Sequence, residues 1–218
     1  MTTSARQRRP RRDALANRDR ILEHAERVFA EEGLDVSLHR LGEDLGMGIG
    51  TVYRHFPTRN DLLLGLYHRF QERVDEAGDA LTGIEDSYER VVAFIDQTVQ
   101  FSLDVPVARA VGVRVQRLFP SEVRVSPTAS VVAQAVEEGK AAGTIRADVD
   151  VTDVASLAGM LADLVWVREP ERSVVLPRMR ALVLDALRPE GTPRPDLPAT
   201  PVSMTELTRL AHRNRMQP

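Results

Sequence analysis

Side chains that can bind a polyanion are concentrated between Val36 and Leu64, in the stretch VSLHRLGEDLGMGIGTVYRHFPTRNDLLL. Its hydroxyls, imidazoles and guanidinium groups can make the hydrogen bonds by which proteins contact phosphate oxygens and the edges of DNA bases. Leucines at helical spacing lie among these groups, so the polar side chains are expected to stand on short helices. The stretch therefore indicates DNA binding.

The first of two short helices is defined by its ends. Ser37 is a natural N-cap, because its hydroxyl can accept a hydrogen bond from a backbone N–H of the first helical turn. Gly46 ends this helix, since glycine readily adopts the left-handed conformation found there. The apolar positions between these ends recur at helical spacing and predict a buried face: Leu38, Leu41 and Leu45.

The second short helix follows after a turn of three or four residues. Met47 is expected to be buried, and Gly48 to cap a helix over residues 49–55. This helix closes before Pro57, because the residue ahead of a proline disfavours helical dihedrals. Two helices joined in this way predict a helix-turn-helix, whose second helix enters the major groove of DNA.

Longer helices are predicted on both sides of this pair. The first runs from about Ala14 to Glu32 and stops at Gly33. The other begins at Thr58, whose hydroxyl and the carboxylate of Asp61 form a pair like a capping box, and continues to about Ala80. This last helix leaves the DNA-binding domain and enters a second domain, so it is the natural mechanical connection between the two.

The same residues resemble the DNA-binding domain of the TetR family of bacterial transcriptional regulators. Leu45-Gly46-Met47-Gly48 and Gly50-Thr51-Val52-Tyr53-Arg54-His55-Phe56-Pro57-Thr58-Arg59 follow the order of the family hallmark. Residues 18–33 resemble the first helix of the family. The resemblance covers roughly residues 13–70, and beyond them only the helical architecture is shared.

The resemblance implies roles for individual residues. The Tyr and His that match Tyr53 and His55 contact phosphates in the family, and Arg59 matches a basic position at a helix N-terminus, which already favours anions. Thr51 would contact a phosphate or a thymine methyl group. The alternatives are a core aromatic for Tyr53 and ordinary surface residues for Thr51 and Arg59.

Two departures from the family pattern change the expected base contacts. Gly48 replaces the usual Ser, and Ile49 replaces a position that is often polar or basic, so few base-specific hydrogen bonds are expected from the start of the second helix. As a hypothesis, Ile49 packs on thymine methyl groups while His39 and Arg40 supply polar contacts. The candidate DNA-binding residues are thus Ser37, His39, Arg40, Gly48, Ile49, Thr51, Tyr53, His55 and Arg59.

Composition agrees with an intracellular DNA-binding protein. The 218 residues are 43% hydrophobic and contain no cysteine, which is compatible with a reducing cytoplasm. No apolar run approaches the roughly 20 residues that span a bilayer, and no signal-peptide core is recognisable, so we expect a cytoplasmic protein without membrane contact. Residues 1–20 hold seven arginines and two aspartates, a net charge of +5 within a chain of −3. Residues 1–12 are predicted to form a flexible basic arm, which either contacts DNA or is a solvated tail.

The remainder of the chain predicts an all-α second domain. Helical periods occur at about residues 84–103, 107–118, 127–142, 151–167 and 173–187, separated by proline or glycine. The predicted domains are a DNA-binding domain over 13–57, a helical regulatory and dimerisation domain over 58–188, and a proline-rich linker with a short helix over 189–218. Ser203 and Glu206 would cap that short helix, with Met204, Leu207 and Leu210 as its apolar stripe.

The second domain resembles the regulatory half of the family, which encloses a small-molecule pocket and pairs its last two long helices with a partner chain. The candidate ligand-binding residues are Phe94, Gln97, Phe101, Arg114, Gln116, Met160 and Trp166. The candidate dimer-interface residues are Val154, Leu157, Ala158, Leu161, Leu164, Val165, Val175, Met179, Leu182, Val183 and Ala186. The expected partners are a palindromic double-stranded DNA operator, a second copy of the chain and an effector of unknown identity, and the internal core of a monomer is the alternative for the apolar stripes.

Enzymatic chemistry finds little support in the sequence. The five histidines lack a metal-binding spacing, no Gly-x-Ser-x-Gly elbow occurs, and the glycines at 46, 48 and 50 lack the lysine and the preceding strand of a phosphate loop. We therefore predict neither a catalytic residue nor a cofactor or metal. A ligand-responsive repressor is the favoured interpretation; the alternatives are an activator of the same fold and a helical protein-interaction module without specific DNA binding.

Overall fold

The computed structural model describes residues 5–206, and in that range it contains α-helices and two short 3₁₀ turns but no β-strand. The predicted all-α fold class is confirmed. The helices in chain order are α1 (Ala5–Glu32), α2 (Leu38–Asp44), α3 (Ile49–His55), α4 (Arg59–Leu81), α5 (Ser87–Asp104), α6 (Ala108–Leu118), α7 (Thr128–Ala142), α8 (Val151–Ala162) and α9 (Arg172–Ala186).

The helices differ from the sequence prediction mainly at their ends. Helix α1 begins at Ala5 instead of about Ala14, so residues 5–12, which we expected in a flexible arm, are helical. Alanine, arginine and glutamine have high helix propensity, but Pro10 opposes a helix interior, so propensity does not explain the extension. The predicted helix over 151–167 ends at Ala162 and tightens into a 3₁₀ turn over Asp163–Trp166, as the last turn of a helix often does.

The chain divides into two compact units. One comprises the described residues up to Arg73 together with Val105–Arg124, and the other comprises Val74–Asp104 and the described residues from Val125 onward. The division falls within α4, whereas the sequence suggested a boundary after residue 57. Helix α6 belongs to the first unit, although we had assigned it to the regulatory domain.

The first unit buries one apolar face of each of its first four helices. Helices α1, α2 and α3 are amphipathic, and their apolar positions at helical spacing meet those of the first half of α4. The side chains that are fully or almost fully buried there include Ile21, Leu22, Ala25, Phe29, Leu41, Val52, Phe56, Leu62, Leu63 and Leu66. This core fixes the short α2 and α3, which are too short to be stable helices in isolation.

Helix α5 lies at the centre of the second unit and packs against α7 and α8. It presents one continuous stripe to the core: Tyr88, Val91, Ile95 and Val99. Opposite this stripe lie buried residues of α7 and α8, including Val132, Val136, Val154, Ala158 and Leu161. The period of three and four residues in α5 is thus the sequence feature that builds this core.

Helix α9 is attached to the second unit differently. It lies wholly in the described range, and none of its side chains is fully buried. Leu176, Met179 and Val183 pack partly against the core. The guanidinium of Arg180 forms a bidentate ion pair with the carboxylate of Asp96 on α5, with 2.6 Å between Nη2 and Oδ2. This carboxylate raises the pKa of Arg180 through its hydrogen bonds. A polar clamp therefore supplements an incomplete apolar contact.

The C-terminal segment begins as predicted. The backbone N–H of Ser203 donates to the carboxylate of Glu206 over 2.8 Å, and the N–H of Glu206 donates to the Ser203 hydroxyl over 3.2 Å. The predicted capping box is thus confirmed. Leu207 and Leu210, which we placed on the apolar stripe of this helix, lie outside the described residues. No helix in the described range is long and apolar enough to cross a membrane.

Candidate DNA-binding site

The turn between α2 and α3 has the geometry that its sequence predicts. The Ser37 hydroxyl accepts a hydrogen bond from the Arg40 backbone N–H over 3.2 Å, which confirms Ser37 as the N-cap of α2. Gly46 has a φ of 62°, a left-handed conformation that strains most other residues. Gly48 then caps α3, whose first turn is closed by the hydrogen bond from the Thr51 N–H to the Gly48 carbonyl.

Helices α2 and α3 cross closely at Gly42. A Cβ atom at this position would lie 3.2 Å from Cγ2 of Val52 and 3.8 Å from Cδ1 of Ile49. The Met47 N–H donates to the Gly42 carbonyl over 2.9 Å, which joins the turn to the same point of α2. Met47 itself is only half-buried, so the prediction of burial is wrong: its backbone, not its side chain, anchors the turn.

The candidate contact residues of α3 differ in exposure. Tyr53 is 48% exposed and so is not a core aromatic, which was its alternative assignment. Thr51, His55 and Ile49 are half-buried, so each presents part of its side chain to solvent. The proximity of Ile49 to Gly42 means that this side chain also helps to hold α3 on α2.

The polar residues of α2 are already engaged within the unit. The Arg40 guanidinium donates to Asp44 over 2.8 Å through Nε and lies 3.4 Å from Glu32 through Nη2. Asp44 also lies 3.0 Å from Nε2 of the nearly buried His24, whose other ring nitrogen is 2.8 Å from Arg27. Since Arg27 can only donate, Nδ1 of His24 accepts and Nε2 carries the proton toward Asp44. Arg40 is therefore held in place, and a base contact would require it to leave Asp44.

Asp44 gives the unit an acid-sensitive anchor. Hydrogen bonds from Arg40 and then from His24 lower the pKa of Asp44 below its ordinary value of 3.8. A carboxylate with a depressed pKa contributes stability above its unfolded value, and this stability is lost as the pH falls through the folded value. We expect Asp44→Asn to reduce the free energy of unfolding by a constant amount from pH 7 to about pH 4. Below about pH 4 the difference in free energy of unfolding between the variant and the unmodified protein should shrink to zero, because Asp44 itself becomes protonated.

Urea titrations across this pH range would measure the gap. Glu72→Gln, on the exposed surface of α4, removes the same charge without a partner on α2 and serves as the control. A gap that stays constant down to pH 2 would show that the Asp44 carboxylate is not the titrating group.

Two further candidates at the site lie beside carboxylates. Nη1 of Arg59 lies 2.9 Å from the carboxylate of Asp35, which is 89% exposed and precedes α2. His39 lies 3.3 Å from Glu43 on the exposed face of α2. Exposed pairs of this kind contribute little to stability, so a phosphate could displace either carboxylate at small cost.

The second unit contains a cavity of about 300 Å³. Phe94, Gln97 and Phe101 of α5 line it, as the sequence suggested. The residues that we did not foresee come from α4, the start of α7 and α8: Val74, Ala77, Thr98, Ser126, Thr128, Ala129, Val132, Val151 and Ala155. Small residues on amphipathic helices give no sequence signal for a cavity, because the same pattern also fits a closely packed core.

Three predicted ligand-binding residues do not line this cavity. Arg114 and Gln116 lie on α6, which belongs to the first unit, and Met160 is 66% exposed on α8. Residue type, on which these candidates rest, does not show which helix faces enclose space. The side chain of Trp166, the remaining candidate, lies outside the described part of the structure.

Three of the predicted dimer-interface residues lie in the core of the second unit. Val154 and Ala158 are 0% exposed and Leu161 is 1% exposed within the single chain, so these side chains already fill the core of the second unit. The exposed surface of α8 instead includes Ala155, Gly159 and Met160. An apolar stripe on one helix could not reveal whether its neighbour belonged to the same chain or to a partner.

Comparison with known proteins defines the class of this site. Residues 21–66 match the family model described as bacterial regulatory proteins, tetR family. An HTH-type transcriptional regulator of Staphylococcus aureus (strain USA300) is 37% identical over 99 residues, which are 43% of this chain and 52% of the relative. The chain thus spans about half the length of the curated relatives it matches.

Solved structures extend the likeness beyond the DNA-binding unit. A TetR transcriptional regulator from Streptomyces coelicolor, 29% identical, covers 80% of this chain and 99% of its own, with a TM-score of 0.54. A transcriptional regulator from Saccharomonospora viridis, solved in complex with choline, is 26% identical, with a TM-score of 0.59 over 78% of this chain and 94% of its own.

The fold and the α2–α3 pair place the chain among helix-turn-helix regulators. Its residues 21–66 match the DNA-binding domain of the TetR family of bacterial regulatory proteins. The curated relatives that it matches are HTH-type transcriptional regulators, which agrees with the prediction of a regulator and not an enzyme.

Proposed function

We propose that this chain is a homodimeric repressor that binds a palindromic DNA operator in the cytoplasm and is released by a small-molecule effector. The observation that carries the proposal is the course of α4. Its first half lies in the core of the DNA-binding unit, where Leu62, Leu63 and Leu66 are fully buried, and its second half contributes Val74 and Ala77 to the cavity. A ligand in that cavity would therefore touch the same helix that supports the DNA reader.

The effector acts by preferring one conformation of α4. A ligand shifts a conformational equilibrium only by the difference between its affinities for the two states. Contacts with Val74 and Ala77 supply such a difference if α4 shifts between the DNA-bound and DNA-free states. The separation of the two readers in a dimer then changes, and they no longer match successive major grooves about 34 Å apart.

DNA binding is expected to depend on α3. We propose that two sets of residues contact DNA. The residues proposed to contact phosphates are Thr51, Tyr53, His55 and Arg59. The residues proposed to face the groove lie beside Gly48 and at the start of α2: Ile49, Ser37, His39 and Arg40. Tyr53→Ala combined with His55→Ala should weaken operator binding about tenfold or more, since hydrogen bonds to charged groups contribute about 1.5–3 kcal/mol each.

The test is a fluorescence-anisotropy titration at fixed salt on the DNA upstream of the protein's own gene, beside scrambled DNA. Salt is fixed because phosphate contacts release counterions and change the affinity. His68→Ala, an exposed histidine on α4, is the matched control for the histidine and should bind as the unmodified protein does. If upstream DNA and a selected random library both gave no sequence preference, the protein-interaction module would replace the repressor.

The proposed dimer surface lies on the side of α9 that the core leaves uncovered. Leu182 is 43% exposed, Ala186 is exposed and Val175 is half-buried, while Met160 and Gly159 extend the surface on α8. This surface offers apolar contact next to a small residue that allows close helix approach. A twofold pairing through it is self-complementary, as the interfaces of symmetric dimers are.

Leu182→Asp should convert the dimer to a monomer, because it places a charge in the centre of the proposed interface. Sedimentation equilibrium at micromolar protein concentration would measure the change. Val125→Asp adds the same charge at a valine that is 83% exposed outside this surface and should leave the dimer intact. A Leu182→Asp protein that remained dimeric would move the interface elsewhere.

A further inference from the structure

We infer that the effector of the α5 cavity is a small, uncharged and mainly apolar molecule with one hydrogen-bonding group, which meets the amide of Gln97. The inference rests on the proposed function for its biological meaning, but the binding itself can be measured without DNA. Four observations support it. The described lining residues carry no charge, and their hydroxyl groups already donate hydrogen bonds to the protein. The amide of Gln97 has no hydrogen-bond partner within the described residues, and the cavity is small.

The wall of the cavity offers no partner for a charged ligand. None of the described side chains that line it is ionisable, and most are apolar, with the rings of Phe94 and Phe101 as the largest. A charge that leaves water without a partner loses several kcal/mol of solvation. The carboxylate of Asp75 accepts a hydrogen bond from the Ser126 hydroxyl over 2.6 Å, but Asp75 does not itself line the cavity.

The hydroxyl groups in the wall already donate to the protein. Thr98 donates to the carbonyl of Phe94 over 2.9 Å, and Ser126 donates to Asp75 while accepting from the Thr128 N–H over 3.2 Å. The Thr128 hydroxyl lies 3.4 Å from the carbonyl of Val74. These groups satisfy one another, as buried polar groups must, and have no donor left for a ligand.

Gln97 differs from these hydroxyls. It lines the cavity, and within the described part of the chain its amide has no hydrogen-bond partner. A primary amide can both donate and accept, so it can pair with a hydroxyl or a carbonyl on the ligand. Because Gln97 is the one lining residue with this free capacity among those described, a ligand with several polar groups would leave some of them unsatisfied.

The size of the cavity limits the ligand. A volume of about 300 Å³ is at the lower end of the range for small-molecule sites and equals the share of roughly ten water molecules in the liquid. An aliphatic alcohol of eight carbons combines this size with one polar end.

Three probes with the same alkyl chain test the class of ligand: octan-1-ol, octanoate and octylammonium. Isothermal titration calorimetry on the full chain should give an octan-1-ol affinity at least about tenfold higher than that of either ion. Equal or tighter binding of octanoate or octylammonium would overturn the inference, and so would the absence of octan-1-ol binding.

Matched variants locate the binding. Gln97→Leu should weaken octan-1-ol binding about two- to tenfold, whereas Gln100→Leu, on the exposed side of the same helix, should not change it. Ala129→Phe fills the cavity and should abolish binding, while Ala141→Phe at the exposed end of α7 should leave it intact. Binding that survived in Ala129→Phe would place the alcohol outside this cavity and overturn the assignment.

Fluorescence-anisotropy titrations of operator DNA in the presence of the same three probes separate the proposed release mechanism from the proposed ligand class. If octan-1-ol binds as expected but leaves operator affinity unchanged, the release mechanism fails and the ligand class stands. If an ion binds more tightly and releases the operator, the ligand class fails and the ligand-responsive repressor stands.

Discussion

Phe56→Ala is expected to lower the free energy of unfolding of the DNA-binding unit by about 3–5 kcal/mol, the usual cost of removing a buried aromatic ring. Phe56 is 1% exposed and directly follows α3. Its ring reaches α4 so closely that a Cβ atom at Gly65 would lie 2.8 Å from its Cε1. The Arg18 guanidinium covers the ring at 5.1 Å from its centroid and adds a cation–π contact. One side chain therefore joins α1, α3 and α4.

Urea denaturation followed by circular dichroism would measure this loss. Phe119→Ala removes the same ring from a half-buried position after α6 and should cost clearly less. The Phe56→Ala protein should also bind DNA more weakly at temperatures where it is still folded, because the ring that holds the end of α3 against α4 is missing. A loss of less than about 1 kcal/mol would mean that the neighbouring side chains collapse into the space of the ring.

Gly78→Ala should destabilise the second unit by about 1–2 kcal/mol, although alanine is the better helix former. Gly78 lies on α4 against the start of α7, where a Cβ atom would fall 1.9 Å from Oγ1 and 2.8 Å from Cβ of Thr128. The Thr128 hydroxyl lies 3.4 Å from the Val74 carbonyl, so moving this buried side chain aside would give up that contact. The overpacking outweighs the gain of about 1 kcal/mol in helix propensity.

Gly112→Ala is the matched control, because a Cβ atom at this helical glycine of α6 meets nothing within 4 Å. It should stabilise the protein by up to about 1 kcal/mol. A double-mutant cycle with Thr128→Ala, measured by thermal and urea unfolding, should recover part of the loss at Gly78, since the shortened side chain relieves the overlap. Additive effects in that cycle would contradict the contact between the two residues.

The DNA-binding helices could be predicted because their ends are set by local chemistry. Ser37, Gly46 and the Thr58–Asp61 pair act within three or four residues of the chain, and the structure has each of them in its predicted role. Local hydrogen bonds of this kind do not depend on the rest of the fold. The sequence thus contained the helix-turn-helix in nearly complete form.

The cavity and the faces of α8 could not be predicted in the same way. Val154, Ala158 and Leu161 form an apolar stripe whichever chain covers it, and only the packing of α5 on α8 decides that they lie in the core. Likewise, the space beside Ala129 and Ala155 arises from the distance between helices, which residue type alone does not determine. Phe94, Gln97 and Phe101 were found because large side chains on one face of α5 must either fill or border such a space.

The ion pairs of the DNA-binding site were also hidden in the sequence. Arg40 and Asp44 are four residues apart on one helix, a spacing that favours pairing, but His24 and Glu32 join them from α1. We had assigned Arg40 to base contacts, whereas the structure places its guanidinium on Asp44. Long-range partners of this kind follow from the tertiary fold.

If the proposed dimer forms, the incomplete burial of α9 would make the stability of the protein depend on its concentration in the cell. A helix with no fully buried side chain gains little from its own chain alone. If a second copy covers it, mass action links folding to association, and stability rises with the concentration of the chain. The chain would then be short-lived when dilute and durable when concentrated. The turnover of the protein, as well as its affinity for DNA, would set how quickly a cell resets its response.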